Sequence, residues 1–91
     1  MMYSPVYTKQ FSKDIKRIEK RGKNLDKLKI IICSLLAGEH PDPIHRDHKL
    51  TGNYQGRREC HIEADWLLIY KVSGNRIIFE RTGTHSDLCR K

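Results

Sequence analysis

The chain has 91 residues, of which 37% are hydrophobic and 32% charged, and its formal net charge is +7 at pH 7. This length predicts one small domain, residues 1–91, with a modest core and no room for a separate cofactor domain. No apolar segment reaches the ~18 residues of a membrane-spanning helix, and the N-terminus lacks the long apolar region of a signal peptide, so we expect a cytoplasmic protein. Three cysteines without Cys-x-x-Cys spacing indicate reduced thiols rather than a disulfide framework.

The first half of the chain predicts a short strand followed by two helices. Residues 3–7 have the composition of an edge strand. Thr8 is the expected N-cap of a first helix ending near Gly22, with an apolar stripe at Phe11, Ile15 and Ile18. Asn24 is the expected cap of a second helix, which Gly38 ends. The apolar face of that second helix consists of Leu25, Leu28, Ile31, Ile32, Leu35 and Leu36.

Most of the positive charge lies on these two predicted helices. Nine basic and three acidic residues occur between Lys9 and Lys29, so this segment carries six of the seven net charges. A basic face of this kind suits a polyanion, and nucleic acid is the commonest polyanion in the cytoplasm. Lysines that merely keep a helix surface soluble produce the same pattern, and composition alone does not separate the two interpretations.

The second half of the chain predicts a loop and then a meander of three antiparallel strands. Residues 40–49 contain two prolines, which exclude a continued helix, and residues 50–56 have turn composition. Residues 58–63 alternate between polar and apolar, residues 66–70 form a continuous apolar run, and residues 77–79 resume strand composition after a turn. The complete order is β-α-α-β-β-β, an α+β fold with an N-terminal helical hairpin packed on a mostly antiparallel four-stranded sheet.

Several ionisable side chains fall in the polar parts of this second half. Imidazole titrates near pH ~6.5, so one histidine can accept a proton while another donates one. RNA cleavage through its own 2′-hydroxyl needs both transfers and a cation beside the phosphate. Ordinary surface histidines are the alternative interpretation. The candidate residues are His48, His61 and His85 for proton transfer, Asp65 as a base or as an orienting group, and Arg81 as the cation.

Neither a metal site nor a stacking aromatic follows from the sequence alone. His45 and His48 are three residues apart in a Pro-rich loop, which fits no zinc signature, and the clustered carboxylates of two-metal nucleases are missing. We therefore expect no metal and no cofactor. Trp66 is either a core aromatic or a platform on which a nucleobase stacks.

Two longer stretches carry a resemblance to a known family. DHKLTGNYQGRRECHIEADWLLIYKV, followed by FERTGTHSDL, closely resembles the YafQ branch of the RelE superfamily, toxins of bacterial type II toxin–antitoxin systems. The resemblance implies a RelE-like fold and a ribosome-dependent endoribonuclease that cuts mRNA in the ribosomal A site without a metal ion. Attack by the 2′-oxygen would leave a 2′,3′-cyclic phosphate and a 5′-hydroxyl end.

Matching positions carry the family's functional residues onto this chain. They imply that His48, His61, Asp65 and His85 are catalytic, without a uniform assignment of base and acid. Trp66 and Arg81 match positions that help to hold the substrate. Two positions depart from the family pattern, with Ala64 in place of a frequent Pro and Cys89 in place of a common Phe. The residues that would face ribosomal RNA are Lys9, Lys13, Lys16, Arg17, Lys20 and Arg21.

The resemblance also implies a protein partner. Family members are held inactive by a small antitoxin whose disordered C-terminal part wraps the toxin and whose N-terminal part binds operator DNA. The alternative function is a catalytically weak or inactive toxin homologue that acts as an antitoxin-binding or RNA-binding module in such a complex.

Overall fold

Two long helices and a five-stranded sheet make up the fold of the described residues. The computed structural model describes residues 2–40, 42–50 and 56–88. The strands are β1 Ser4–Tyr7, β2 His48–Lys49, β3 Arg58–Glu63, β4 Trp66–Ser73 and β5 Arg76–Gly83. The helices are α1 Lys9–Lys20, α2 Leu25–Leu36 and a single turn, α3 His85–Leu88, and a 3₁₀ turn at Pro43–His45 precedes β2.

The sheet has the strand order β1-β5-β4-β3-β2, with β1 parallel to β5 and every other pair antiparallel. The predicted α+β class and the helical hairpin are confirmed, but the predicted four strands are one too few. The missing strand is β2, whose two residues pair with Arg58 and Glu59. Two residues in a loop rich in proline and histidine have no period-two pattern, so only the tertiary pairing identifies them as a strand.

Both long helices begin at the predicted caps. The Thr8 hydroxyl accepts a hydrogen bond from the Phe11 backbone N–H at 3.0 Å and donates one to the Glu80 carbonyl at 2.9 Å. The Asn24 side chain accepts from the Asp26 backbone N–H at 3.0 Å. Gly22, which follows α1, has a φ of 80°, a backbone conformation that glycine adopts without strain.

The two faces of the sheet have different surroundings. Cys60 and Ile62 of β3 join the main core under α1 and α2, so Glu59 and His61 point to the opposite side, as the alternation predicts. We call this second side the open face. A small apolar cluster of Leu67, Ile69 and Leu88, with Leu50 packed against it, covers part of the open face.

A bulge in β5 decides which way Arg81 points. Phe79 lies opposite Tyr70, and Arg81 lies opposite Ile69, so Glu80 is an extra residue in this strand. Directly opposed residues in an antiparallel pair share a face. Arg81 therefore shares the open face with Ile69 instead of following Phe79 into the main core.

Candidate active site

The strand register places two of the predicted site residues, His48 and Arg81, in one row on the open face. His48 pairs with Glu59, Glu59 with Ile69, and Ile69 with Arg81, so the row crosses four strands. Neighbouring strands are about 4.8 Å apart, which puts Arg81 about 10 Å across the sheet from Glu59. His61 lies in the next row, opposite Leu67.

Three histidines from distant parts of the chain meet beside this row. The ring centroids of His48 and His61 are 5.9 Å apart, and those of His61 and His85 are also 5.9 Å apart. His61 is therefore the central ring of the three. Two hydrogen bonds fix the neighbouring loop, because His45 Nδ1 donates to the His61 carbonyl and His48 Nδ1 donates to the Arg46 carbonyl, each at 2.7 Å.

His61 has the most unusual environment of the three histidines. It is only 7% exposed, and its Nδ1 is buried with no hydrogen-bond partner among the described residues. Burial, followed by the positive charge of Arg46, lowers the pKa of His61 below its usual range. The neutral imidazole is therefore favoured near neutral pH, and this is the form that accepts a proton.

Glu59 is a site residue that sequence reasoning did not select. It is 8% exposed, and its Oε1 lies 3.5 Å from His48 Nε2 and 3.7 Å from His61 Nε2. The only sequence signal was its place two residues before His61 in the alternating strand. Glu59, His48 and His61 offer ligand atoms that all lie within 4.8 Å of one another, so they are also the set in the described ranges that can hold a metal ion.

Asp65 and His85 form a hydrogen-bonded pair at the edge of the cluster. Asp65 Oδ1 accepts from the His85 ring Nδ1 at 2.6 Å and from the His85 backbone N–H at 2.9 Å. The backbone and side-chain hydrogen bonds from His85 lower the pKa of Asp65, so its carboxylate stays charged. With Nδ1 occupied, Nε2 is the ring nitrogen of His85 that remains to exchange a proton with another group.

Arg81 is bound to a carboxylate that sequence reasoning also missed. Asp14 of α1 is completely buried and accepts from Arg81 Nε at 2.8 Å and from the Thr82 backbone N–H at 3.1 Å. Pairing of β5 with β1 ends at Phe79, so Asp14 takes the place of a neighbouring strand. Its sequence signal was an acidic residue on the apolar face of α1, at helical spacing from Phe11 and Ile18.

Trp66 belongs to the main core. It is 1% exposed, and its indole N–H donates to the Thr82 hydroxyl at 2.9 Å. The Thr82 hydroxyl in turn donates to the Leu67 carbonyl at 2.7 Å. A buried ring cannot stack on a nucleobase, so of the two interpretations open from the sequence the structure supports the core aromatic. The substrate-holding role that the family resemblance implies for Trp66 stays a prediction.

The six basic residues predicted to face RNA divide into two groups. Arg17 and Arg21 form ion pairs with Asp87, and Arg17 also pairs with Asp14. The other four are exposed, namely Lys9, Lys13, Lys16 and Lys20. Two of the sequence-based expectations fall wholly or mostly outside the described residues. They are the substitution at Cys89 and the turn expected at residues 50–56, of which residues 51–55 are not described.

The comparison with protein families identifies the chain. A family model described as "Bacterial toxin of type II toxin-antitoxin system, YafQ" matches residues 3–90. The chain belongs to the YafQ toxin family. The mRNA interferase toxin YafQ of Escherichia coli K12 is 45% identical over 83 residues, which cover 90% of each chain. The predicted enzyme class, an endoribonuclease, agrees with the name of that relative.

Solved structures of similar proteins have the YafQ-family fold found here. The E. coli DinJ-YafQ toxin-antitoxin complex aligns with a TM-score of 0.87 and 42% identity, covering 97% of this chain and 98% of that one. A metal-bound toxin from Helicobacter pylori aligns with a TM-score of 0.89 and 34% identity, covering 96% and 99%. The predicted family and fold are confirmed. None of the helices in the described ranges combines the length and the apolar character of a membrane-spanning segment.

Proposed function

We propose that this YafQ-family toxin is an mRNA interferase, an endoribonuclease that cleaves mRNA in the ribosomal A site by attack of the 2′-hydroxyl. The observation that carries the proposal is the buried His61 ring between His48 and His85, with their ring centroids 5.9 Å from its own. Two imidazoles at this spacing can act on the same phosphodiester, one accepting the proton of the 2′-hydroxyl and the other donating a proton to the 5′-oxygen.

The proposed mechanism divides proton transfer between these rings. Neutral His61 accepts the proton of the 2′-hydroxyl, and the 2′-oxygen forms a bond to phosphorus. His85, whose ring Asp65 orients through Nδ1, gives a proton to the 5′-oxygen as the P–O5′ bond breaks. Arg81 stabilises the negative charge that grows on the phosphorane oxygens. Glu59 stabilises the imidazolium that forms at His61, since its carboxylate lies 3.7 Å from Nε2.

Ribosome dependence is proposed from the charge distribution and from the shape of the site. The proposed proton-transfer groups of the described ranges lie side by side on one face of the sheet. The exposed lysines of α1 can bind the phosphates of ribosomal RNA. Such phosphate contacts position a protein on RNA with little sequence specificity. We propose that the ribosome supplies the positioned mRNA and that the protein acts in the cytoplasm.

A cognate antitoxin is the proposed protein partner. The similar YafQ of E. coli has been solved as a toxin-antitoxin complex with DinJ. A small acidic protein that folds on binding suits this basic chain. By the family resemblance, the antitoxin neutralises the toxin and the complex binds operator DNA.

Cleavage by purified protein tests the proposed activity. We would measure the cutting of a defined mRNA with and without programmed ribosomes, in the presence of chelator, for the wild type and for His85→Ala. Ribosome-dependent cuts that survive the chelator and disappear in His85→Ala are expected. His40→Ala is the matched control, since His40 is an exposed histidine and is not one of the three clustered rings. The chelator arm matters because one similar toxin is described as metal-bound.

The alternative is an inactive homologue that keeps only its binding functions. The substitution at Cys89 favours it, because a thiol cannot stack on a base as the family's common Phe can. Expression of the toxin alone separates the two, since an active toxin stops growth and co-expression of its antitoxin restores growth. A folded wild-type protein that binds ribosomes and antitoxin but leaves mRNA intact would contradict the proposed activity and favour this alternative.

A further inference from the structure

The helix that carries His85 is too short to hold itself in place. α3 has four residues, His85–Leu88, whereas isolated helices shorter than about 12 residues are marginal in water. Its N-terminus is instead closed by a reciprocal pair of hydrogen bonds. The Asp87 backbone N–H donates to the Thr84 hydroxyl at 3.1 Å, and the Thr84 backbone N–H donates to Asp87 Oδ2 at 3.0 Å. This is the geometry of a capping box with Asp87 at its third position.

The same carboxylate ties α3 to the end of α1. Arg21 binds Asp87 with both terminal nitrogens, at 2.7 Å from Nη1 to Oδ2 and at 3.2 Å from Nη2 to Oδ1. Bidentate pairs of this kind fix direction as well as distance. The Asp87 side chain is 12% exposed, and the Arg21 hydrogen bond lowers its pKa, which favours the charged carboxylate.

The backbone before α3 is shaped to admit Asp87. Gly83 has a φ of +157°, and a Cβ at this position would lie 2.9 Å from Asp87 Oδ2 and 3.0 Å from Asp87 Cβ. Real Cβ atoms do not approach other atoms so closely. Gly83 therefore leaves the space in which the Asp87 carboxylate folds back over the chain.

Together these contacts assign a task to Asp87. We propose that Asp87 is a positioning residue, which clamps α3 to Thr84 and Arg21 and thereby holds the His85 ring against Asp65 and beside His61. The inference rests on the proposed function for its catalytic consequence. Asp87 touches no reacting atom, and its contribution is the placement of an imidazole that has to meet the scissile phosphate.

Kinetics of ribosome-dependent cleavage test the catalytic half of this inference. Because misplacement of a reacting group by about 1 Å can lower a rate about 100-fold, we expect Asp87→Ala to lower kcat at least tenfold with little change in KM. Asp87→Glu retains a carboxylate that completes a capping box, so it should recover most of the rate. Asp26→Asn is the control, since it removes one negative charge from an exposed residue at the start of α2.

Amide hydrogen exchange and imidazole NMR test the structural half without any catalysis. In Asp87→Ala we expect faster exchange at Thr84, His85 and Leu88, whose N–H groups bond to Asp87, Asp65 and the Thr84 carbonyl. The His85 ring signals should lose the signature of the Asp65 hydrogen bond, while the urea midpoint shows that the domain stays folded.

The outcomes separate this inference from the proposed function. Unchanged exchange and ring signals in Asp87→Ala would overturn the inference, as would an unchanged kcat in a variant whose α3 has loosened. A wild-type protein that cleaves nothing would contradict the proposed function instead. In that case the exchange rates and the His85 signals still decide whether Asp87 positions the ring.

Discussion

At the scale of single residues, the site depends on burial of groups that are usually solvated. His61 and Glu59 are charged or polar residues on the open sheet face, yet both are buried, and the rings of His48 and His85 lie beside that of His61. The period-two alternation predicted the face to which both point. It could not predict their burial, because the neighbouring rings come from segments more than ten positions away along the chain.

Replacement of Glu59 by Gln tests its role at the residue scale. We expect cleavage at neutral pH to slow about tenfold, since a hydrogen bond or close contact to a charged group contributes about 1.5 kcal/mol. Glu59 also raises the pKa of His61, opposing the effect of burial. Without this carboxylate the pKa falls further, so His61 stays neutral to lower pH and the acid limb of the pH–rate profile moves to lower pH.

The measurement for Glu59→Gln is the pH dependence of single-turnover cleavage on programmed ribosomes. Glu39→Gln is the matched control, because Glu39 is an exposed glutamate in the segment after α2. An acid limb that stays at the same pH would show that His61 is not the proton acceptor in the rate-limiting step.

At the scale of elements, the sequence predicted those features that have local causes. The caps at Thr8 and Asn24 and the three long strands follow from side chains within a few positions. β2 and the bulge at Glu80 do not, because pairing with distant residues produces them. The single turn α3 has a local cap at Thr84, but its attachment to Arg21 at the end of α1 is a contact between distant positions. The bulge has the largest effect on the candidate site, because strict alternation along β5 would point the Arg81 side chain into the main core.

Thr8 offers a test at the element scale, because one hydroxyl caps α1 and also joins it to β5. Loss of an N-cap typically costs about 1 kcal/mol, and the second hydrogen bond, to the Glu80 carbonyl, is lost as well. We expect Thr8→Ala to lower the free energy of unfolding in urea by about 1 to 2 kcal/mol. Thr8→Ser, which keeps the hydroxyl, should unfold within a few tenths of a kcal/mol of the wild type, and an equal loss in both variants would argue against the cap.

At the scale of the whole molecule, chemistry and positive charge occupy separate surfaces. The proposed proton-transfer groups lie on the open face of the sheet, whereas the exposed lysines lie on α1, which packs against the opposite face. Arg17 and Arg21 contribute less net positive charge than the lysines do, because Asp14 and Asp87 form ion pairs with them. The basic helix therefore has a structural role toward the site in addition to its proposed contact with ribosomal RNA.

Neutralising the four exposed lysines of α1 tests that proposed contact. We expect replacement of Lys9, Lys13, Lys16 and Lys20 by Gln to raise KM for ribosome-dependent cleavage and to leave kcat nearly unchanged. The slope of log KM against log salt should decrease by up to about 0.7 to 0.9 for each phosphate that the variant no longer binds. Lys29→Gln with Arg76→Gln is the control, since both residues are exposed and lie outside α1. Because the control removes two charges and the test variant four, equal effects per charge removed would indicate a general charge effect instead of a binding surface.

The parallel pairing of β1 with β5 joins the beginning of the chain to its end. Ser4 lies opposite Arg76, and His85 follows β5 directly. Such contacts between distant positions form late in folding, because a long loop has to close first. During synthesis, neither the closed sheet nor the three-histidine cluster can exist until the last strand has been made. Nascent chains that stop before residue 76 lack β5 and His85, so they should be harmless.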